Sequence, residues 1–157
     1  MASPGIRQPR EIAPGWASTA APREALGPDW IGAGGRAYVS RYALEPVRAI
    51  ALVRGSGGAV VLAHPGAISR GWRIPDEAIG VLADAGLAGL EVDHPDHDEA
   101  ERARLRALAV GLGLVTTGGS DDHGDLTGHR LGVETTSPAA FESLMARAGG
   151  APGPRGG

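Results

Sequence analysis

The sequence predicts an α/β protein with a parallel sheet, and three observations lead to that class. Short, mostly apolar runs recur at 59–63, 87–92 and 114–117, and the first of them contains β-branched residues. Amphipathic helical segments lie before, between and after these runs. The aromatic content is only 4%, so the core has to be built from Ala, Val, Leu and Ile, which suits packed β/α layers. Such alternation gives parallel strands with right-handed crossovers, in either a barrel or an open sheet.

The chain of 157 residues allows one folded domain, and both ends are expected to lie outside it. Residues 1–22 carry four prolines among small and polar side chains without a helical or strand period, which predicts a disordered arm. Residues 149–157 are mostly glycine and proline and predict a disordered tail. The folded part is therefore expected at 23–148, with 23–42 as a less regular lead-in.

Two helices are predicted around the first two apolar runs. The first begins at Pro46, because proline suits the first helical position, and it ends at Gly55. The first run then forms a strand buried on both faces. The second helix begins near Pro75 and ends at Gly86, directly before the second strand.

Two further helices flank the third strand. Residues 98–110 show apolar side chains at helical spacing, and the charged run 99–106 is interpreted as the solvated face of that helix. The last helix is capped by Ser137, with Pro138 at its first position. Its buried stripe is expected to consist of Phe141, Leu144, Met145 and Ala148.

Composition excludes several classes of function. The chain has no Cys, and all fifteen basic residues are Arg, so disulfides, thiolate chemistry, Cys-based metal sites and Schiff-base lysines are ruled out. The net charge of -3 argues against a face that binds duplex DNA. The sequence shows neither a membrane-spanning run nor a secretion signal, which predicts a cytoplasmic protein that does not bind membranes.

Ionisable residues follow each predicted strand directly. His64 follows the first strand, residues 91–97 end the second, and residues 118–124 follow the third with Asp121 and His123 among glycines. Because the carboxyl ends of parallel strands meet at one edge, four of the five histidines are expected there. Imidazole and carboxylate together are ligands for Zn²⁺, Mn²⁺ or Fe²⁺. The sequence therefore predicts a divalent metal site at this edge.

Two histidine-containing segments leave alternatives open. Residues 94–97 either contact substrate or metal through His94 and His97, or form a capping loop with Asp98 as the N-cap. His129, beyond the glycine-rich loop, is expected to be exposed to solvent. A phosphate loop is excluded by the absence of Lys, and a Gly-x-Ser-x-Gly nucleophile elbow is also absent.

Four segments resemble one known family. Residues 63–66 (Ala-His-Pro-Gly), 86–92, 94–97 and 117–124 (Thr-Gly-Gly-Ser-Asp-Asp-His-Gly) are similar, in that order, to the C-terminal part of PHP-domain (polymerase and histidinol phosphatase) metal-dependent phosphoesterases. The resemblance runs from about residue 29 to 144. It is closest to stand-alone members that act on nucleotide phosphates and short RNA. In that family a distorted (β/α)7 barrel holds up to three Mn²⁺, Zn²⁺ or Fe²⁺ ions, and a metal-bound hydroxide attacks phosphorus.

The resemblance implies roles for particular residues. His64, Asp121 and His123 match metal ligands of the family, and no catalytic residue beyond these ligands is assigned. Arg36 lies in a segment similar to the end of a subdomain that closes over substrate, so it is a candidate phosphate contact.

The family's N-terminal half, with its His-x-His and Thr-Asp-His motifs, has no counterpart in this chain. The expected fold is therefore the C-terminal portion of the barrel, about three parallel strands with four helices. One functional hypothesis is a metal-dependent hydrolase of small phosphate esters, namely nucleotide or short-oligonucleotide phosphates. The alternative is a non-catalytic remnant, or a half-enzyme that assembles with a separate N-terminal partner chain.

Overall fold

The computed structural model describes residues 28–32, 34–40, 43–67, 71 and 73–149. The chain divides into two compact units, residues 1–42 and 43–157. The predicted disordered arm at 1–22 lies outside the described residues, and so does the predicted tail apart from Gly149.

The first unit contains helix α1 (Pro28–Ile31) and a turn that follows it. The backbone N–H of Arg36 donates to the carbonyl of Asp29 at 3.0 Å. The guanidinium of Arg36 lies 4.5 Å from the centre of the Trp30 ring, a cation–π contact that orders this side chain.

The second unit alternates helices and strands. In chain order it contains α2 (Pro46–Gly55), β1 (Val61–Leu62), α3 (Asp76–Asp84), β2 (Gly89–Asp93), α4 (Glu99–Gly111), β3 (Val115–Gly118), a 3₁₀ turn (Gly124–Leu126) and α5 (Pro138–Arg147). The strands form one parallel sheet in the order β1-β2-β3. This confirms the predicted α/β class, with three parallel strands and their flanking helices.

The helix starts follow from local capping chemistry. The Asp98 carboxylate accepts a hydrogen bond from the Glu101 N–H at 2.7 Å at the start of α4, and Ser137 accepts from Ala140 at the start of α5. The Glu45 carboxylate does the same for α2. Each cap satisfies a backbone donor that the first helical turn leaves without a partner, which is why these starts could be predicted.

The core lies between the sheet and the helices that pack on it. Ile79 of α3, Leu90 of β2 and Leu105 of α4 are fully buried. The rest of the buried hydrophobic cluster is Ile50, Leu87, Val92, Ala109 and Leu114. The aliphatic core predicted from the low aromatic content is therefore present.

Helix α5 is less buried than its sequence predicts. Phe141 is 58% exposed and Met145 is 42% exposed, whereas Leu144 and Ala148 are half-buried. The predicted stripe of four buried residues is therefore wrong for two of them. The helix packs against β3 at one side of the described sheet, so only the part of its apolar face next to the sheet is covered.

Helix α4 provides a second correction, because Glu101 does not belong to a solvated face. Its side chain is only 6% exposed, and it pairs with Arg104 and, at 3.4 Å, with Arg73. Arg104 Nε also donates a hydrogen bond to Glu101 Oε2 at 3.0 Å. A run of alternating charges does not show which member faces inward, since that depends on the loop that packs over it.

This buried carboxylate should make folding stability depend on pH. The hydrogen bond from Arg104 lowers the pKa of Glu101 below its usual value of 4.5, against the opposing effect of burial. Because the folded-state pKa is the lower one, the stabilisation is complete above the unfolded-state pKa and is lost as the pH falls through the folded-state pKa. We expect Glu101→Gln to flatten the dependence of the unfolding free energy on pH below about 5, measured by urea denaturation.

The exposed Glu99→Gln on the same helix is the matched control and should leave this pH dependence unchanged. An equal slope in the wild type and Glu101→Gln would show that the ion pair does not govern acid stability.

None of the helices in the described part of the chain combines the length and the apolar character needed to cross a membrane.

Candidate functional site

The loops that follow the three strands lie side by side at the carboxyl edge of the sheet. His64 follows β1, His94 follows β2 and Asp121 lies beyond β3. The rings of His64 and His94 have centroids 5.2 Å apart, and His94 Nε2 lies 3.8 Å from Asp121 Oδ2. The structure therefore brings together one predicted site residue from each loop.

Two of these residues hold an unusual backbone conformation. His64 has a φ of 30° and Asp121 a φ of 46°, in the left-handed region that costs a non-glycine residue about 1–3 kcal/mol. Long-range hydrogen bonds hold both. The His64 N–H donates to Glu91 Oε2 at 2.7 Å, and Arg130 Nη2 donates to the Asp121 carbonyl at 3.2 Å. Such conformations concentrate at functional sites, where surrounding contacts maintain them.

Neither Glu91 nor Arg130 was predicted from the sequence as a site residue. The position of Glu91, two residues before the end of β2, is the signal that could have identified it. Side chains alternate along a strand, so a carboxylate there can point toward the neighbouring loop. No comparable pattern marks Arg130, which reaches Asp121 from the loop before α5.

His94 is the central residue of the edge and is completely buried. Its Nδ1 accepts a hydrogen bond from the Asp96 N–H at 3.0 Å, which assigns the proton of the neutral ring to Nε2. Among the described residues Nε2 has no hydrogen-bond partner, and it faces Asp121. Burial lowers the pKa of His94, although the carboxylates of Glu91 and Asp96 act in the opposite direction. The ring is therefore held neutral, with one N–H available.

His97 has a different role because both of its ring nitrogens are occupied. Nδ1 lies 2.8 Å from the Val92 carbonyl, and Nε2 accepts from the Gly66 N–H at 3.1 Å. The ring is only 3% exposed and links the loop after β1 to the end of β2. This arrangement places His97 in a supporting position, and the predicted capping role of Asp98 next to it is confirmed.

Replacing His97 by Phe should therefore destabilise the fold. It would leave the Gly66 N–H and the Val92 carbonyl without partners, at about 1–3 kcal/mol for each buried group. Urea denaturation measures the loss, and amide exchange at Gly66 localises it. The control His129→Ala, at a side chain that is 74% exposed, should change stability by less than about 0.5 kcal/mol. An unchanged exchange rate at Gly66 in His97→Phe would contradict the supporting role.

Arg102 fixes the loop that carries His94 and His97. Its Nε donates to the His97 carbonyl at 3.0 Å, and its Nη2 donates to the His94 carbonyl at 2.8 Å. The same Nη2 also contacts Glu134 Oε1 at 2.5 Å. Arg102 was predicted to lie on a solvated helix face. It is half-buried instead, because the loop after β2, which carries the His94 and His97 carbonyls, lies beside it.

The two neighbouring aspartates after β3 have separate roles. The Asp122 carboxylate accepts from the Gly124 N–H at 2.7 Å and from the Thr127 hydroxyl at 3.0 Å. These bonds, first of all the one from Gly124, lower the pKa of Asp122 and shape the turn. Asp121 instead points to the edge, where its Oδ1 lies 3.2 Å from His123 Nε2.

The donors at this edge fit part of a metal site. Imidazole nitrogen and carboxylate oxygen are suitable ligands for Zn²⁺, Mn²⁺ or Fe²⁺. They occur as neighbouring pairs, with Asp121 close to both His123 and His94. Within the ranges that the structure describes, no three His, Asp or Glu side chains converge as a metal cluster requires. The edge therefore holds donors of the kind that metal centres use, and Asp121 lies close to two of them.

Two other residues singled out in the sequence make contacts of their own. His129 is exposed, as predicted, and its Nε2 contacts Asp125 Oδ1 at 2.6 Å. Arg36 belongs to the first unit, where it stacks on Trp30, so its contact with phosphate stays a prediction.

Two known proteins are similar to parts of this chain, one in sequence and one in sequence and fold. No protein-family model matches the chain. The chain is 47% identical over 76 residues to the phosphoribosyl 1,2-cyclic phosphate 1,2-diphosphodiesterase of Eggerthella lenta, a match that covers 48% of this chain and 27% of that protein. A crystal structure from Bifidobacterium adolescentis, provisionally named a metal-dependent phosphoesterase, superposes with a TM-score of 0.67 and 33% identity.

The second match covers 74% of this chain and 41% of the Bifidobacterium protein. The chain thus spans well under half the length of either relative. Both relatives are named as phosphoester hydrolases, and one of them as metal-dependent. In sequence and in fold, this chain is therefore similar to a part of the PHP-type metal-dependent phosphoesterases, as its motifs predict.

Proposed function

We propose that this chain carries part of the active site of a metal-dependent phosphoester hydrolase, with His64, Asp121 and His123 as metal ligands. The contact of His94 with both His64 and Asp121, across the ends of three neighbouring strands, is the observation that carries the proposal. The names of the two relatives support it. A bound divalent ion would supply a Lewis acid for the phosphoryl oxygens and lower the pKa of its water.

In this proposal some residues of the chain contact the phosphate, and others hold the loop that carries those residues. The buried Nε2–H of His94 is free to donate to a phosphoryl oxygen, because its ring is neutral and this atom has no partner among the described residues. His97 and Arg102 hold the loop on which His94 lies. Arg36 is the proposed additional phosphate contact, since a guanidinium binds phosphate through two parallel hydrogen bonds.

The proposed substrates are phosphate esters of ribose. Nucleotide phosphates and short RNA are the class that the motifs imply, and the Eggerthella relative is named for a phosphoribosyl cyclic phosphate. All of these substrates carry a phosphate ester on a ribose ring. The proposed metals are Mn²⁺, Zn²⁺ or Fe²⁺, and the absence of Cys suits the reducing cytoplasm as the proposed location.

An activity assay on the purified chain tests the proposal. A nucleoside 3',5'-bisphosphate, a ribose cyclic phosphate and a short RNA are each incubated with Mn²⁺ or Zn²⁺, or with EDTA, and the products are separated by chromatography. We expect hydrolysis that requires metal and is lost in Asp121→Asn, while His129→Asn retains it. Hydrolysis that persists in EDTA or in Asp121→Asn would contradict the assigned site.

A half-enzyme that needs a partner chain is the second candidate. It is favoured by the pairs in which the donors at the edge occur, because no three of them come together as a metal centre requires in the part of the chain that the structure describes. The partner would supply the remaining metal ligands from its own strands.

Elemental analysis distinguishes the two candidates. The metal content is measured for the chain alone and after mixing with the part of the Bifidobacterium protein that lies outside the match. Stoichiometric metal only in the mixture would support the half-enzyme, and stoichiometric metal in the chain alone would contradict it. A stable complex that binds no metal and hydrolyses nothing would favour a non-catalytic remnant.

A further inference from the structure

A second concave region lies at the opposite, amino end of the sheet. A cavity of about 320 Å³ is bordered by residues 58–59 before β1 and 86–88 before β2. Arg54 at the end of α2 and Arg147 at the end of α5 complete its lining. Strand β2 has five residues, so roughly 13 Å of sheet separates this cavity from the carboxyl edge.

The described lining of the cavity carries positive charge. Among the described residues that line it, two carry a guanidinium group and none carries a carboxylate, and the others are Gly, Ala and Leu. The chain as a whole has a net charge of -3, so the local sign is opposite to the overall one. A concave surface with one sign of charge concentrates ions of the other sign.

Fixed contacts hold both guanidinium groups in place. Arg54 Nη1 donates to the Ala85 carbonyl at 3.2 Å. Its guanidinium lies where a side chain at Gly86 would project, and Gly86 has a φ of 102° that favours glycine. Arg147 donates through Nη1 to the Ala88 carbonyl at 3.0 Å and through Nη2 to the Gly113 carbonyl at 2.9 Å.

These contacts leave donors for a ligand. A guanidinium carries five N–H groups, and the hydrogen bonds within the described residues use one from Arg54 and two from Arg147. Donors that are already positioned bind an anion with a smaller loss of side-chain entropy than mobile ones. Arginine in particular matches the geometry of phosphate oxygens.

We propose that this cavity binds a small phosphate monoester, with its phosphoryl oxygens between Arg54 and Arg147. The volume of about 320 Å³ is at the lower end of small-molecule sites and leaves room for a compact organic group beside the phosphate. The small residues of the lining would contact that group. The site is distinct from the metal-binding edge and does not rest on the proposed hydrolysis.

Nuclear magnetic resonance of the ¹⁵N-labelled full chain tests this site. Inorganic phosphate and ribose 5-phosphate are titrated at constant ionic strength in EDTA, so that no divalent ion contributes. We expect saturable shifts at the amides of Gly58, Gly86 and Ala88, and no saturable shift at Gly119 or Gly124 at the other edge. Arg54→Gln should weaken binding about tenfold or more, as expected for the loss of a charge-assisted contact.

Arg48→Gln, in the same helix but outside the cavity, is the matched control and should bind as the wild type does. Arg147→Lys keeps the charge and removes the planar fork, so it should also bind more weakly while its spectrum remains that of a folded protein. Shifts that fail to saturate, that persist unchanged in Arg54→Gln, or that are largest at Gly119 and Gly124 would overturn the proposal.

Discussion

Asp121→Ala is expected to reduce the affinity of the protein for divalent metal by about 100-fold or more. Changes to residues that only support a ligand already cost about 10–100-fold, so loss of a ligand should cost at least as much. Asp121 is the donor shared by the two pairs at the edge, with His123 at 3.2 Å and His94 at 3.8 Å. Its removal therefore affects both pairs at once.

Calorimetric titration with Mn²⁺ or Zn²⁺ measures this effect, on the chain or on its complex with the complementing fragment. His64→Ala should show a comparable loss. His129→Ala is the control, because its ring is exposed and its Nε2 contacts the still more exposed Asp125. Equal losses in all three variants would show that the assigned ligands do not hold the metal.

Gly66→Ala should destabilise the fold by about 1–3 kcal/mol, although it adds only one methyl group. The added Cβ would lie 2.6 Å from Glu101 Cγ, and the Glu101 carboxylate is held by Arg104 and cannot move away without breaking a buried ion pair. The same peptide unit donates to His97, so a shift of the backbone would disturb that contact as well. Neither the Glu101 side chain nor the backbone at residue 66 can therefore move away from the added methyl group without losing a contact.

Gly80→Ala is the matched control for this change. Gly80 lies inside α3 with nothing within 4 Å of an added Cβ, so alanine there should stabilise the helix by about 0.5–1 kcal/mol. Urea denaturation compares the two variants. A double variant Gly66→Ala with Glu101→Ala should be less unstable than the sum of the single changes. Additive effects would show that the two residues do not collide.

The fold was largely predictable because its signals are local. Capping by Asp98 and Ser137 requires side chains within three residues of the bonds they make, and the apolar runs mark the strands directly. The convergence of His64, His94 and Asp121 followed from a rule of topology, because parallel strands place their carboxyl ends at one edge. That edge could be predicted without knowledge of any tertiary contact.

The remaining features depend on contacts between distant positions. The hydrogen bond from Gly66 to His97 joins residues 31 positions apart, and that from His64 to Glu91 joins residues 27 apart. The sequence could therefore not show that both ring nitrogens of His97 are occupied, whereas Nε2 of His94 has no hydrogen-bond partner among the described residues. In the same way, the burial of Glu101 depends on the loop after β1, which no helical periodicity reveals.

Strand β1 consists of two residues, Val61 and Leu62, and the predicted ligand His64 lies in the loop directly after it. A short strand at the side of a sheet is an element that can open locally while the rest of the protein stays folded. Such an opening would break the hydrogen bond between the His64 N–H and Glu91 and move His64 away from His94. A ligand that binds only the closed form would suppress this opening in proportion to its concentration and affinity. For the proposed metal site, metal affinity and the local opening of this strand are thus thermodynamically linked. The rate of amide hydrogen exchange at Val61 and Leu62 measures how often the strand opens.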